Sequence, residues 1–258
     1  MMNPYQLWIS YKTIVAKDIR RVFRLWMQTF FPSVVTTSLY FIIFGYALGG
    51  MLKGGHHGDY AAFIAPGLVM LSMINSTCSG SSFAFFQAKF QKTIEEVLVS
   101  PTPVWLMLLA YMSIGIIRGF IIASIVSVIS WFFTGFELYS FWMSLGVILL
   151  TGFVFSSLGL ISGIYSDNFD QMSVLPNFIL TPLIYLGGVF YSVQQLPGFW
   201  KTLSMYNPVY YVIDAFRHAL LGAHSDHLTA SILAIIAMGI ALFAFAAKLF
   251  NSKVGVRP

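Results

Sequence analysis

Residues 104–134 read VWLMLLAYMSIGIIRGFIIASIVSVISWFFT, with one charge, Arg118, near the middle. A helix needs about 20 apolar residues to cross the hydrocarbon of a bilayer. This stretch is long for one crossing, and two crossings would need a turn near Arg118-Gly119. The choice fixes whether the chain crosses a membrane an even or an odd number of times.

Composition makes the membrane the solvent. Hydrophobic residues are 58% of the 258 positions and charged residues 9%, whereas a soluble domain carries roughly 25% charge. Mean hydropathy is +0.80. Runs free of Asp, Glu, Lys and Arg lie between Arg24 and Lys53, Tyr60 and Lys89, Glu96 and Arg118, Glu137 and Asp167, Asp170 and Lys201, and Asp226 and Lys248. Membrane β-strands would be ~10 residues long with alternating polarity. These runs are continuous in Leu, Ile, Val and Phe, so the reading is an all-α membrane protein. It predicts six transmembrane helices at 30–50, 61–83, 104–134, 139–163, 174–191 and 228–249 in a single 1–258 domain.

The distribution of Lys and Arg resolves the long stretch. Lys12, Lys17, Arg20, Arg21, Arg24, Lys89, Lys92, Lys248, Lys253 and Arg257 fall on one side of a six-span chain, and only Lys53, Lys201 and Arg217 on the other. Basic flanks face the cytoplasm, so both termini are expected inside. Splitting 104–134 would put the basic C-terminus outside, so one long, tilted helix is expected. In this setting the formal charge of +5 reflects topology and calls for no nucleic acid. The N-terminus lacks a short apolar core with a small-residue cleavage site, so no cleavable signal is expected. The lone Cys78 implies no intrachain disulfide.

Three segments break the plain pattern. Residues 5–27 place Leu7, Trp8, Tyr11, Ile14, Val15, Val22, Leu25 and Trp26 at helical spacing, with Lys17, Arg20, Arg21 and Arg24 on another face. That is a basic amphipathic helix of the kind that lies in the interface; a soluble partner-binding helix is the other reading. Residues 86–101 contain a second short helix, with Phe90, Ile94, Val97 and Leu98 on one side, stopped by Pro101 and Pro103. It either docks a soluble partner or simply connects two spans. Residues 192–227, punctuated by Pro197, Gly198 and Pro208, predict short helices dipping into the outer leaflet. In Tyr210–Leu221, Asp214, Arg217 and His218 can meet on one face.

Chemistry-bearing motifs are sparse. There is no phosphate-cradling G-x-x-x-x-G-K-[ST], no H-E-x-x-H and no G-x-S-x-G. His56-His57 near Asp59, and His224 near Asp226 and His227, lack multi-ligand spacing and read as solvated loop residues. No catalytic, cofactor or metal site is assigned. Cys78-Ser79-Gly80-Ser81-Ser82 reads as close helix packing through small residues. Arg118 has two readings: contact with an anionic substrate or lipid headgroup, or a structural ion pair or snorkelling. Asn75, Thr77, Asn177, Thr181 and Tyr185 are polar positions among apolar ones and mark, with Arg118, a possible substrate path.

The arrangement resembles the membrane subunit of a type-2 ATP-binding-cassette (ABC-2) exporter. The 5–27 helix resembles that family's connecting helix. Ile94-Glu95-Glu96-Val97-Leu98-Val99-Ser100-Pro101 is similar to its cytoplasmic gating segment. Leu180, Leu183, Leu186, Gly187, Val189, Leu196, Pro197, Pro208, Tyr211 and Arg217 match its signature spacing, with Val209 a conservative departure. The resemblance covers essentially the whole chain and points to small inner-membrane permeases of Gram-negative bacteria. It implies a second copy of the chain, membrane lipids around it, and two soluble ATPase subunits on a separate polypeptide, which would hold ATP and Mg. It implies outward movement of a lipid-like or amphipathic substrate by alternating access. Arg24, Glu95 and Glu96 are then the coupling candidates and Phe85, Phe86 and Phe90 the inner gate. The alternatives are an intramembrane enzyme acting on lipid or peptide, which would need paired ionisable groups in the spans, and a non-transporting scaffold.

Overall fold

The computed structural model describes residues 3–48, 57–223 and 228–252, and within these it is helical with no strand. Lys53, His56, His224, Asp226, His227, Lys253 and Arg257 lie outside the described residues, as do the side chains of His57, Asp59 and Leu98.

The N-terminal helix α1 spans Pro4–Arg24. Asn3 and Gln6 start it with reciprocal side-chain caps, and Pro4 takes a first-turn position where no amide partner is lost. It lies along the third apolar helix. After a bend at Leu25 (φ −104°, ψ 30°), α2 spans Trp26–Tyr40 and continues as a π-helical stretch, Phe41–Leu48. Next come α3 (His57–Phe90), the short α4 (Thr93–Val99), α5 (Val104–Thr134) and α6 (Phe141–Tyr165). Residues 104–134 form one unbroken helix through Arg118, as the charge bias requires. Pro103 precedes the helix, and Gly135, at φ +62°, ends it in the left-handed conformation glycine tolerates.

Among the described residues five helices are long and apolar enough to cross a bilayer: Trp26–Phe44, Tyr60–Phe90, Val104–Thr134, Phe141–Tyr165 and Leu228–Phe250. The stretch expected as a fifth span, 174–191, is not a regular helix. It is built from α7 (Phe169–Val174), a π-helical turn Leu175–Leu180, and α8 (Thr181–Leu186). The cause is proline: Pro176 and Pro182 have no amide to donate. Thr181 closes the π turn, sending both its amide and, at 2.9 Å, its hydroxyl to the Pro176 carbonyl five residues back. Beyond it lie α9 (Gly198–Met205), α10 (Pro208–Leu221) and α11 (Leu228–Asn251).

Helix α3 is the hub, packed along both α5 and α6, with α11 on the far side of α6 and α10 wedged against α3, α6 and α11. Large apolar side chains such as Trp131, Phe132, Trp142, Leu233 and Ile240 are exposed at the periphery, the inverse of a soluble surface and the cover that lipid requires.

Candidate functional site

The centre of the molecule is built from residues with almost no side chain. On α3, Thr77, Cys78, Ser81 and Ser82 face two neighbours at once. Gly115 and Gly119 of α5 lie against Ser81 and Thr77, and Gly159 and Gly163 of α6 lie against Cys78 and Ser82. A Cβ on Gly163 would fall 2.7 Å from the Ser82 carbonyl, and the other three glycines leave still less room. Both partners carry the G-x-x-x-G spacing that lets membrane helices approach backbone to backbone. The packing reading of Cys78–Ser82 therefore holds. The glycine pairs that receive it are legible in the sequence but escaped the reading of it.

Close approach of α5 to α3 seats Arg118. Its side chain lies across Gly80, where a Cβ would sit 3.2 Å from the arginine Cδ. The Arg118 Nε is buried with no hydrogen-bond partner. Among the described residues no ion pair joins Arg118 to a carboxylate. The structural ion pair considered for Arg118 is thus absent among the described residues. Instead the guanidinium borders three pockets. One, ≈ 60 Å³, lies beneath the end of α1 beside Asp18, Arg21 and Phe83. A second, ≈ 290 Å³, lies between α2 and α3 and is lined by Gln28, Ser33, Thr36, Ser72, Asn75, Ser76 and Ser79. The third, ≈ 240 Å³, lies between α3 and the broken 169–186 element and is lined by Ser79, Ser82, Ser173 and Asn177.

Of the path residues, Arg118, Asn75 and Asn177 therefore share one polar seam. Asn75 donates to the Leu71 carbonyl at 3.1 Å. Thr77 sits apart, fully buried in the α3–α5 contact. Tyr185 lies elsewhere, its hydroxyl 3.3 Å from that of Tyr40 and its ring stacked on Phe190, which also stacks on Phe44.

At one end of the seam is an aromatic cluster. Phe86 is buried, Phe90 is exposed, and both pack on Phe169 of α7, at 4.9 and 5.4 Å between ring centroids. Arg21 of α1 lies 4.5 Å over the Phe83 ring. Lys89 ties α3 to the end of α6, donating to the Ser166 carbonyl at 3.0 Å and to Asp167 at 3.1 Å. There the positive charge meets the carbonyl end of the helix dipole. The chain then reverses through Lys92 (φ 58°) into α4, whose first turn presents Glu95 and Glu96 to solvent. Arg24 is exposed at the end of α1, and among the described residues no ion pair joins it to either glutamate.

The opposite end is knitted by the signature residues. Arg217 donates to the Gly188 carbonyl at 3.0 Å and covers the Phe63 ring at 4.2 Å. Gly187 packs against Val209 and Ile213, Pro197 precedes α9, and Pro208 opens α10. The His218 Nδ1 lies 2.7 Å from the Ala223 carbonyl.

A sequence profile of the ABC-2 type transporter family matches residues 9–221. This chain belongs to that family. The ABC-2 chain is 40% identical over 257 residues to the inner membrane transport permease YadH of Escherichia coli K12, covering all of both chains. It is 24% identical over 240 residues to nodulation protein J of Rhizobium meliloti, covering 91% of this chain and 92% of the relative. Family membership and five long apolar helices make this ABC-2 protein a multi-pass membrane component of a transporter.

Proposed function

We propose that the chain is the permease subunit of an ATP-driven exporter of a bacterial inner membrane. It works as a pair with a second copy and draws its energy from soluble ATPase subunits. The family match over residues 9–221, with full-length likeness to a protein named as an inner membrane permease, carries the reading. The absence of a phosphate-cradling loop in the sequence agrees with ATP and Mg being held by another polypeptide. ATP can shift the permease only through its differential affinity for two states. The routes for that are α1 and the Lys92–α4 turn, with Arg24, Glu95 and Glu96 as the exposed contact groups and Phe86 and Phe90 as the inner gate.

The broken element 169–186 is the fifth of six crossings in this reading. Its helical rise sums to about 27 Å, close to the ~30 Å of hydrocarbon. The helices α9 and α10 then re-enter from the outer side, and both termini are cytoplasmic. Proline-broken backbone of this kind is tolerated where protein or a polar cavity covers it, and the 240 Å³ pocket beside Asn177 lies against it. The cargo is lipid-like or amphipathic, since a narrow polar seam runs through otherwise apolar helices.

Affinity isolation of the tagged chain from native membranes tests this. A Walker-motif ATPase should copurify, and vesicles holding the complex should move cargo only with ATP. Recovery without any ATPase, or turnover of lipid or peptide by the isolated chain, would replace the exporter with a scaffold or an enzyme. Glu95→Ala with Glu96→Ala should lower substrate-stimulated ATPase; unchanged stimulation removes those residues from the coupling surface.

A further inference from the structure

The Arg118 seam has unused hydrogen-bonding capacity of one kind. The Arg118 Nε is buried and unpartnered, and so are the hydroxyls of Ser76 and Ser82, which line the pockets on either side of it. A guanidinium kept in a span without a carboxylate is costly. Asp18 of α1 faces it across the ≈ 60 Å³ pocket without an ion pair, and in the ≈ 290 Å³ pocket the polar lining groups are hydroxyls and amides, able to donate alongside it to an acceptor there. That donor set suits an oxyanion, which arginine binds through two parallel N–H bonds.

Depth narrows the source. The Tyr11 hydroxyl of α1 lies 2.7 Å from the Ser113 hydroxyl of α5, so the amphipathic helix marks the level of the interface on α5. From Ser113 to Arg118 the helix rises about 7.5 Å. Arg118 therefore lies about 7.5 Å deeper than that contact, near the middle of α5, and shares the ≈ 60 Å³ pocket with Asp18 and Arg21 of α1. The flanking pockets, ≈ 290 and ≈ 240 Å³, each far exceed the ~30 Å³ share of one water.

We propose that Arg118, with Ser76 in the ≈ 290 Å³ pocket, forms a binding site for the phosphate of an acidic membrane lipid taken from the leaflet at α1, so that the cargo class is anionic amphiphiles. The choice of cargo rests on the exporter reading above; the binding site does not. Gly80 seats the arginine across α3, since a Cβ there would stand 3.2 Å from its Cδ and press it outward.

The test uses the purified permease without any ATPase, so a failed exporter reading leaves its outcome unaffected. The full chain is equilibrated with equal amounts of phosphatidylglycerol and phosphatidylcholine in neutral detergent, and retained lipid is counted by native mass spectrometry. One phosphatidylglycerol per chain should be held with about tenfold or greater preference, the scale of a charge-assisted contact. Arg118→Gln should bring that lipid to parity, while Arg118→Lys should keep part of the preference, which decides the matter even if the glutamine variant folds poorly. Retention by Arg118→Gln equal to the parent would assign the lipid to the basic face of α1 and overturn the site. Loss of the dimer in Arg118→Gln with lipid preference intact would overturn it in favour of a partner carboxylate. Excess glycerol 3-phosphate should fail to displace the lipid; displacement would point to a soluble phosphate ligand and overturn the lipid assignment.

Discussion

The Tyr11 and Ser113 hydroxyls lie 2.7 Å apart across the α1–α5 contact, and Ser113 also lies 2.7 Å from the Leu109 carbonyl as donor. Because Ser113 spends its proton on its own helix, Tyr11 is the donor between the helices. Tyr11→Phe should leave Ser113 without that donor at a cost of about 1 kcal/mol. For a chain of this size that lowers the thermal midpoint by roughly 2–4 °C. Ser113→Ala should cost a similar amount and the double variant no more than either alone, a pattern read from a double-mutant cycle in detergent.

The glycines of the central contact should rank by what their added methyl meets. At Gly159 it meets the backbone of Cys78, which cannot step aside; at Gly119 it meets first the Thr77 hydroxyl, which can rotate. Gly159→Ala should therefore destabilise more than Gly119→Ala, with overpacking worth about 1–3 kcal/mol. Gly146→Ala, on the same helix as Gly159 but with nothing within 4 Å, should be neutral or stabilising by ~0.5–1 kcal/mol through helix propensity. Thermal unfolding of the three variants checks the order.

Lys89 and Asp167 should prove unequal partners. The Asp167 side chain is 74% exposed and that of Lys89 20%, and Lys89 also donates to the Ser166 carbonyl. Asp167→Asn removes a screened surface pair worth ~0–1 kcal/mol. Lys89→Met also removes the cap on α6 and should cost more. Added salt should shrink the first loss and leave most of the second.

Asp18 carries a pH signature. Desolvation raises its carboxyl above the usual range, and the nearby charges of Lys17 and Arg21 only partly offset this. A raised folded-state value means stability that is fully present below the ordinary carboxyl range and falls as pH rises through the raised value. Asp18→Asn should therefore be more stable than the parent at neutral pH, and the gain should vanish under acid conditions. Thermal midpoints across a pH series test the sign; a constant difference at every pH would contradict it.

Much of this was readable in order along the chain. Residues 104–134 form one helix because hydropathy and the basic flanks agree, and Arg118 is carried without a break. The proline stop at 101–103 and the 5–27 amphipathic helix are local signals, and local signals survive into structure. Failures came where information sits between helices. Nothing in the run 174–191 separates a regular span from one forced into π-helical register, although Pro176 and Pro182 supply the cause. The setting of Arg118 over Gly80, between Ser76 and Ser82, depends on the rotational register of α3 against α5, which no single helix encodes. The bend at Leu25 has neither glycine nor proline to announce it.

That bend does not cut the backbone ladder. The Leu25 amide still reaches the Arg21 carbonyl at 3.1 Å, and the Thr29 amide reaches Leu25 at 3.0 Å. Two helices joined in this way act as a bell-crank. A push on the arm along the interface cannot be absorbed by slack in a loop, so it swings the arm that stands in the bilayer, and with it the α2 wall of the ≈ 290 Å³ pocket.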